Sequence, residues 1–131
     1  SDVCSSDLNL SFVFTGHVNE RKLIQIYQKS SLVLSLAKSE SYGRVAREAI
    51  LCGTPVLAVK SSGMLQLKRL LNGNAISIFD PSEQQLNFNN LINAAISMKV
   101  NLKSKQIISR ESTLNRNNLI KLFIRNSTIN L

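Results

Sequence analysis

No apolar run in the chain reaches the roughly eighteen residues that a membrane-crossing helix requires. Cysteine is scarce, and Cys4 and Cys52 alone do not make a disulfide framework. His17 is the single histidine, and Asp2, Asp7 and Asp80 are the only aspartates. No pair or triad of ligands falls at zinc, calcium or magnesium spacing, so no metal site is expected. G-x-S-x-G is absent, which leaves a hydrolase triad on His17 without a nucleophile elbow. G-x-G-x-x-G is absent too, which argues against a dinucleotide oxidoreductase. Nor is there a recognisable nucleic-acid module, and the basic residues lack interleaved aromatics.

What is present suits one domain. The 131 residues are 44% hydrophobic, enough for a packed core. The net charge of +8 is unevenly spread. Residues 1–98 hold nine basic and seven acidic side chains, whereas 99–131 hold seven basic ones against Glu111 alone. Such a basic end attracts anionic surfaces or phosphorylated ligands, or packs against another domain.

Short apolar runs alternate with helical periods, the pattern of α/β architecture. The pattern predicts strands at Leu10–Thr15, Leu32–Leu36, Val56–Val59 and Ala75–Phe79. Between them it predicts helices over about 20–29, capped by Asn19, then 44–52 and 64–71. A further helix over about 84–98 carries Phe88, Leu91, Ile92 and Ala95 at core spacing, and residues 113–125 form a last one. Crossovers of this length imply parallel strands joined by right-handed connections. Four strands are few for a doubly wound sheet, and two more on the N-terminal side would be usual. Residues 1–8 have no periodicity and are expected to be a non-native or disordered leader. Residues 9–98 then form the domain, and 99–131 a basic helical region.

Ligands of such sheets bind beyond the carboxyl ends of the strands. The loop after Leu36 is the most informative of these. Gly43 lets the chain turn closely at the start of a helix and directs free N–H groups outward, which makes an anion site. Glu40 and Glu48 flank it, and a carboxylate can accept two charge-assisted hydrogen bonds from a vicinal diol. On a helical wheel Val45, Ala46, Ala49, Ile50 and Cys52 share an apolar arc. Arg44 and Arg47 lie opposite, with Glu48 at the margin. The same spacing also allows Arg44 and Glu48 to be an ordinary surface i,i+4 pair.

Residues 12–59 resemble the family 4, or group 1, retaining glycosyltransferases of GT-B architecture. Phe14, Gly16 and Val18 match that family's F-x-G-x-V phrase, and Leu23 and Tyr27 its L-x-x-x-Y. Glu40, Gly43, Glu48 and Ala49 match E-x-x-G-x-x-x-x-E-A, and Gly53, Pro55 and Val56 complete G-x-P-V. The resemblance continues less sharply to about Ile96. It implies a Rossmann-like parallel sheet with flanking helices, forming part of the C-terminal domain of a GT-B enzyme.

The implied activity is transfer of a hexose-like unit, with retention, from a nucleoside-diphosphate sugar to a glycan or lipid-linked acceptor. Glu40 is then the candidate catalytic residue, as stabiliser and positioner rather than nucleophile. Backbone amides around Tyr42, Gly43, Arg44 and Val45 meet the distal phosphate, Glu48 meets the ribose, Gly16 keeps its loop open beside the donor, and Ser41 is a further donor-binding residue. No cofactor is implied, and there is no D-x-D metal motif. The resemblance also implies a separate N-terminal domain, without which the segment is inactive. It suggests a cytoplasmic location, with peripheral contact at the inner face of a membrane as one role for the basic end, and no nucleic-acid partner.

The chain departs from the family pattern in four places. Leu36 and Ala37 replace a common Pro-Ser. Ser62, Gly63 and Gln66 stand where Gly-Gly-x-x-Glu is frequent, and Arg44 replaces an aliphatic residue. The basic pair that clamps the diphosphate is absent. The alternatives are a noncatalytic sugar-nucleotide-binding module and an epimerase of the same architecture.

Overall fold

The structure, a computed structural model, describes residues 2–5 and 11–110. Its center is a parallel sheet of β3 (Val33–Ser35), β4 (Val56–Val59) and β5 (Ile76–Phe79), in that order. Val33, Val56 and Ile76 stand side by side, so the three strands are in register at their amino ends. α2 (Arg44–Leu51) joins β3 to β4, and α3 (Ser62–Leu70) joins β4 to β5. Because the strands add in one direction and such crossovers are right-handed, both helices fall on the same face.

β4 shows why a central strand has no polar residue. Val56 and Ala58 enter a cluster with Ala49 and Ile50 of α2, Met64 and Leu67 of α3, and Ile24 and Tyr27. Leu57 and Val59 point the other way, into a second cluster with Phe79 and Ala95. Alternation across the pleat fills both faces. The second face is covered by α4 (Phe88–Ile96), where Phe88 meets Phe79 edge-on at 5.6 Å between ring centers. Of the expected core face of this helix, Ala95 is buried and Leu91 and Ile92 are half-buried, whereas Phe88, at the first turn, is 38% exposed.

α1 (Glu20–Lys29) forms where expected. The Asn19 side chain accepts from the Lys22 amide at 2.8 Å, and Ile24 and Tyr27 are its buried positions. The buried Thr54 hydroxyl donates to the Tyr27 carbonyl, tying α1 to the turn before β4. That carbonyl also accepts from the Ser30 amide at 3.1 Å. Thr54→Val therefore removes one buried hydrogen bond without stranding its acceptor, and should lower unfolding free energy by about 1 kcal/mol. The shift in urea midpoint measures it.

The first predicted strand is not part of the parallel sheet. β2 (Ser11–Phe14) pairs with β1 (Asp2–Ser5), antiparallel, with Val13 opposite Val3. Among the described strands none of β3, β4 and β5 bonds to it. Its side chains are consequently uncovered: Phe14 is 64% exposed, and Phe12 and Val13 are more than half exposed. The described parallel sheet thus has three strands rather than four.

Other boundaries moved as well: α4 begins at Phe88, capped by Asn87, rather than near 84, and β3 is one residue shorter at each end than expected. Ala75 has a left-handed backbone (φ 66°), so β5 begins one residue later than expected. α3 starts at Ser62 because Ser61 caps it, its hydroxyl accepting from the Met64 amide at 3.3 Å. α5 (Leu102–Ser109), which falls in the expected basic helical region but had no bounds assigned, is capped by Asn101 and contributes Ile108 to the first cluster. The helix expected over 113–125 lies outside the described residues.

Candidate functional site

The carboxyl ends of β3 and β4 and the starts of α2 and α3 converge on one loop. Gly43 is the N-cap of α2, with a left-handed backbone (φ 81°) and no side chain to cap with. Glu40 takes that role. Its Oε1 accepts from the Gly43 amide at 3.0 Å and the Tyr42 amide at 3.2 Å. These amide bonds, Gly43 first, hold its carboxyl below the usual glutamate range. The turn thus presents two N–H groups to a negative charge, here the protein's own. Beyond it, the first helical amides at Arg44 and Val45 have no intrahelical acceptor, because a helix leaves its opening donors unsatisfied.

A carboxyl with a depressed pKa favors the folded turn only while ionised. That contribution is complete above the ordinary glutamate value of about 4.3 and is lost as pH falls through the lower value of Glu40. On acidification the Tyr42 and Gly43 amide proton shifts should therefore move together, with a midpoint below about 4.3. An NMR pH titration checks this.

Glu48 stands one turn inside α2 but is 6% exposed rather than marginal. Its Oε2 accepts from the Tyr27 hydroxyl at 3.2 Å, and its Oε1 from Arg44 Nε at 3.2 Å. The i,i+4 pair is real, yet only its Arg44 end lies at the surface. Burial, then the Glu48 charge, pushes the Tyr27 hydroxyl well above its ordinary pKa, so it stays a neutral donor. Cys52, one turn further on, is pushed up to about 12, chiefly by burial and then by Glu48. It is a packing residue.

The helical wheel misplaced two neighbors. Val45, expected in the core, is 49% exposed, and Arg47, expected outside, is 3% exposed. Arg47 is drawn in by the loop. Its guanidinium lies 4.0 Å from the center of the Tyr42 ring, and its Nε donates to the Tyr42 carbonyl at 3.0 Å. Such a stacked, hydrogen-bonded arginine fixes the backbone it bonds to. The sequence carried no signal for this contact beyond an aromatic five residues before an arginine.

Gly63 is the second residue that spacing alone undervalued. Its amide donates to the Glu40 carbonyl at 2.9 Å. A Cβ there would lie 2.6 Å from that oxygen and from the Ser41 carbonyl carbon. The start of α3 therefore packs directly on the backbone of the Glu40 loop. Ser41 is exposed on the same turn.

Gly16 follows β2 in a left-handed conformation (φ 62°), with open space where a side chain would stand. Next to it a hollow of about 650 Å³ is lined by His17, Val18, Asn19, Glu20 and Arg21. The structure brings Glu40, Tyr42, Gly43, Arg44 and Glu48 together on one loop and helix start. Gly16 lies on a different loop, the one after β2. Among the described residues no three His, Cys, Asp or Glu side chains cluster, and no helix is long and apolar enough to cross a membrane.

A family model described as glycosyl transferases group 1 matches residues 5–112. Among curated proteins, the D-inositol 3-phosphate glycosyltransferase of Rhodococcus jostii is 46% identical over 43 residues, covering 33% of this chain and 10% of that protein. The protein of the same name from Gordonia bronchialis is 49% identical over 43 residues, covering 33% and 9%. The chain thus matches about a tenth of the length of these relatives. No solved structure matches significantly. With a parallel sheet flanked by helices, and a family match over most of its length, this chain belongs to the group 1 glycosyl transferases.

Proposed function

We infer that the protein is a retaining, family 4 hexosyltransferase that moves a sugar from a nucleoside-diphosphate donor to a glycan or lipid-linked acceptor. The observation that carries this reading is the turn at Glu40–Gly43, where two backbone amides already hold a carboxylate at the mouth of a parallel sheet. In the donor complex the distal phosphate takes the place of that carboxylate, supported by the free amides of Arg44 and Val45. Glu40, once released, turns to hydroxyls of the transferred sugar. Glu48 accepts from the ribose diol, and Ser41 and Gly16 border the donor. A basic pair and an acceptor-holding domain elsewhere in the protein close the cleft. The location is cytoplasmic, with the basic end against the inner membrane face.

In the reaction the bond from the anomeric carbon to the diphosphate breaks as the acceptor oxygen bonds to that carbon on the same face. The acceptor proton passes to the departing diphosphate oxygen. The carboxylate of Glu40 favors the positive charge that builds on the ring, so it contributes at the transition state. Glu40→Gln in the complete protein should lower kcat about a hundredfold and donor KM by little. Steady-state kinetics with the true donor separate the two.

The deciding experiment incubates the complete protein with a panel of nucleoside-diphosphate hexoses and assigns product configuration by NMR. A transferred sugar of retained configuration supports the reading. Binding without product indicates a noncatalytic module, and a donor epimer as product indicates an epimerase. Either of these outcomes sinks it.

A further inference from the structure

Beside the Glu40 loop a second hollow opens at the same end of the sheet. It measures about 380 Å³ and is lined by Lys38, Val59, Lys60, Asp80, Pro81 and Ser82. Its walls come from the carboxyl ends of all three parallel strands: Lys38 follows β3, Lys60 follows β4, and Asp80 follows β5. This is the side on which open α/β sheets accept ligands. The volume is at the lower end of the roughly 300–1,000 Å³ of ligand pockets, suited to one sugar ring.

The polar groups here are only partly satisfied. Asp80 Oδ1 accepts from the Ser82 hydroxyl at 2.7 Å and the Ser82 amide at 3.0 Å, which orients the carboxylate. Its Oδ2 has no hydrogen-bond partner among the described residues. The Lys60 amide donates to the Phe79 carbonyl at 2.8 Å, fixing the Lys60 backbone beside Asp80. Neither Lys38 nor Lys60 makes a direct ion pair among the described residues, although the Lys60 charge, after the two Ser82 hydrogen bonds, helps hold the Asp80 carboxyl below its ordinary range. Two ammonium groups against one carboxylate, with the apolar sides of Val59 and Pro81, therefore share a hollow of monosaccharide size that carries a surplus of positive charge. A neutral sugar would leave the surplus positive charge unmatched, and a bare anion would leave the free carboxylate oxygen facing it.

We propose that this hollow is a subsite for a saccharide bearing an anionic group, a carboxylate or a phosphate monoester, which Lys38 and Lys60 hold while Asp80 accepts from a neighboring hydroxyl. It rests on the sugar-transfer reading and adds that one of the two substrates is acidic. Lys38 lies two residues before Glu40, so this saccharide sits next to the transferred sugar rather than next to the nucleotide.

The test is NMR amide-shift mapping on the 131-residue chain. The chain is titrated separately with D-glucose 6-phosphate, D-glucuronate, inorganic phosphate and D-glucose. The expected result is saturable shifts at Lys38, Lys60 and Ser82 with at least one acidic sugar. That sugar should bind about tenfold more tightly than D-glucose or inorganic phosphate, and the better of the two identifies the anion. The double substitution Lys38→Gln, Lys60→Gln, both exposed positions, should weaken that binding about tenfold. Asp80→Asn should reduce the preference for the sugar phosphate over inorganic phosphate. Equal binding of D-glucose, equal binding of inorganic phosphate, or undiminished binding by the double variant each overturns the proposal. Uridine diphosphate added to the same samples reports separately on the Tyr42–Val45 amides. Silence there counts against the donor reading and not against the lysine subsite.

Discussion

Gly63→Ala is expected to cost about 2–3 kcal/mol of stability and, on the proposed function, to abolish measurable nucleotide binding by the chain. Gly63 does not have a positive φ, so alanine meets no backbone strain there. The clash is purely one of space. An added Cβ falls 2.6 Å from the Glu40 carbonyl oxygen, 2.6 Å from the Ser41 carbonyl carbon and 2.8 Å from its oxygen. All three are backbone atoms, with no flexible side chain to swing aside. The loop and the start of α3 must part, and the amide bond between them at 2.9 Å is lost with them. A melting-temperature drop on the order of 10 °C follows for a domain of this size. Gly16→Ala is the contrasting control, since it meets open space and costs only left-handed strain of about 1 kcal/mol. If Gly63→Ala melts like the parent chain, the loop does not rest on α3 as described.

The second large effect is at Glu48. On the proposed function, Glu48→Gln should weaken uridine diphosphate binding by roughly 1.5–3 kcal/mol, or about ten- to a hundredfold, because the charged acceptor proposed for the ribose becomes a neutral one. The amide oxygen can still accept from the Tyr27 hydroxyl, so stability should change much less than affinity. Glu48→Ala differs in kind: it leaves that buried hydroxyl without its acceptor and lowers stability as well. Tyr27→Phe completes the comparison. It removes the hydroxyl, keeps the carboxylate charge, and should cost about 1 kcal/mol of stability while sparing affinity. Titration calorimetry paired with thermal melts resolves the three variants. Unchanged affinity in Glu48→Gln would make the residue a structural acceptor for Tyr27 and Arg44, with no part in binding nucleotide.

How far the sequence reached depended on whether a feature was local. Strand β4 and helix α1 were legible to the residue because an uninterrupted apolar run and an Asn19 cap are short-range signals. The order of strand, loop and helix around Gly43 was legible for the same reason, and so was the Glu40–Glu48 spacing. Side-chain destinations were not. Arg47 is buried only because Tyr42 offers its ring and carbonyl from the preceding loop, a contact that no hydrophobicity wheel contains. Glu48 is buried because Tyr27, on another helix, reaches it. The pairing of β2 with β1 was invisible because apolar content marks a strand and not its neighbor. The caps at Ser61 and Asn101, by contrast, were present to be read and would have placed α3 and found α5.

The bond between Glu40 and its own loop has a consequence for selectivity. An incoming phosphate finds its seat taken by a rival tethered three residues away, which no dilution removes. On the proposed function, a nucleoside diphosphate must evict that rival and leave it wanting partners, whereas a donor with its sugar attached gives the evicted group hydroxyls to hold. The turn would then discriminate against spent nucleotide, favoring its release over that of the unreacted donor.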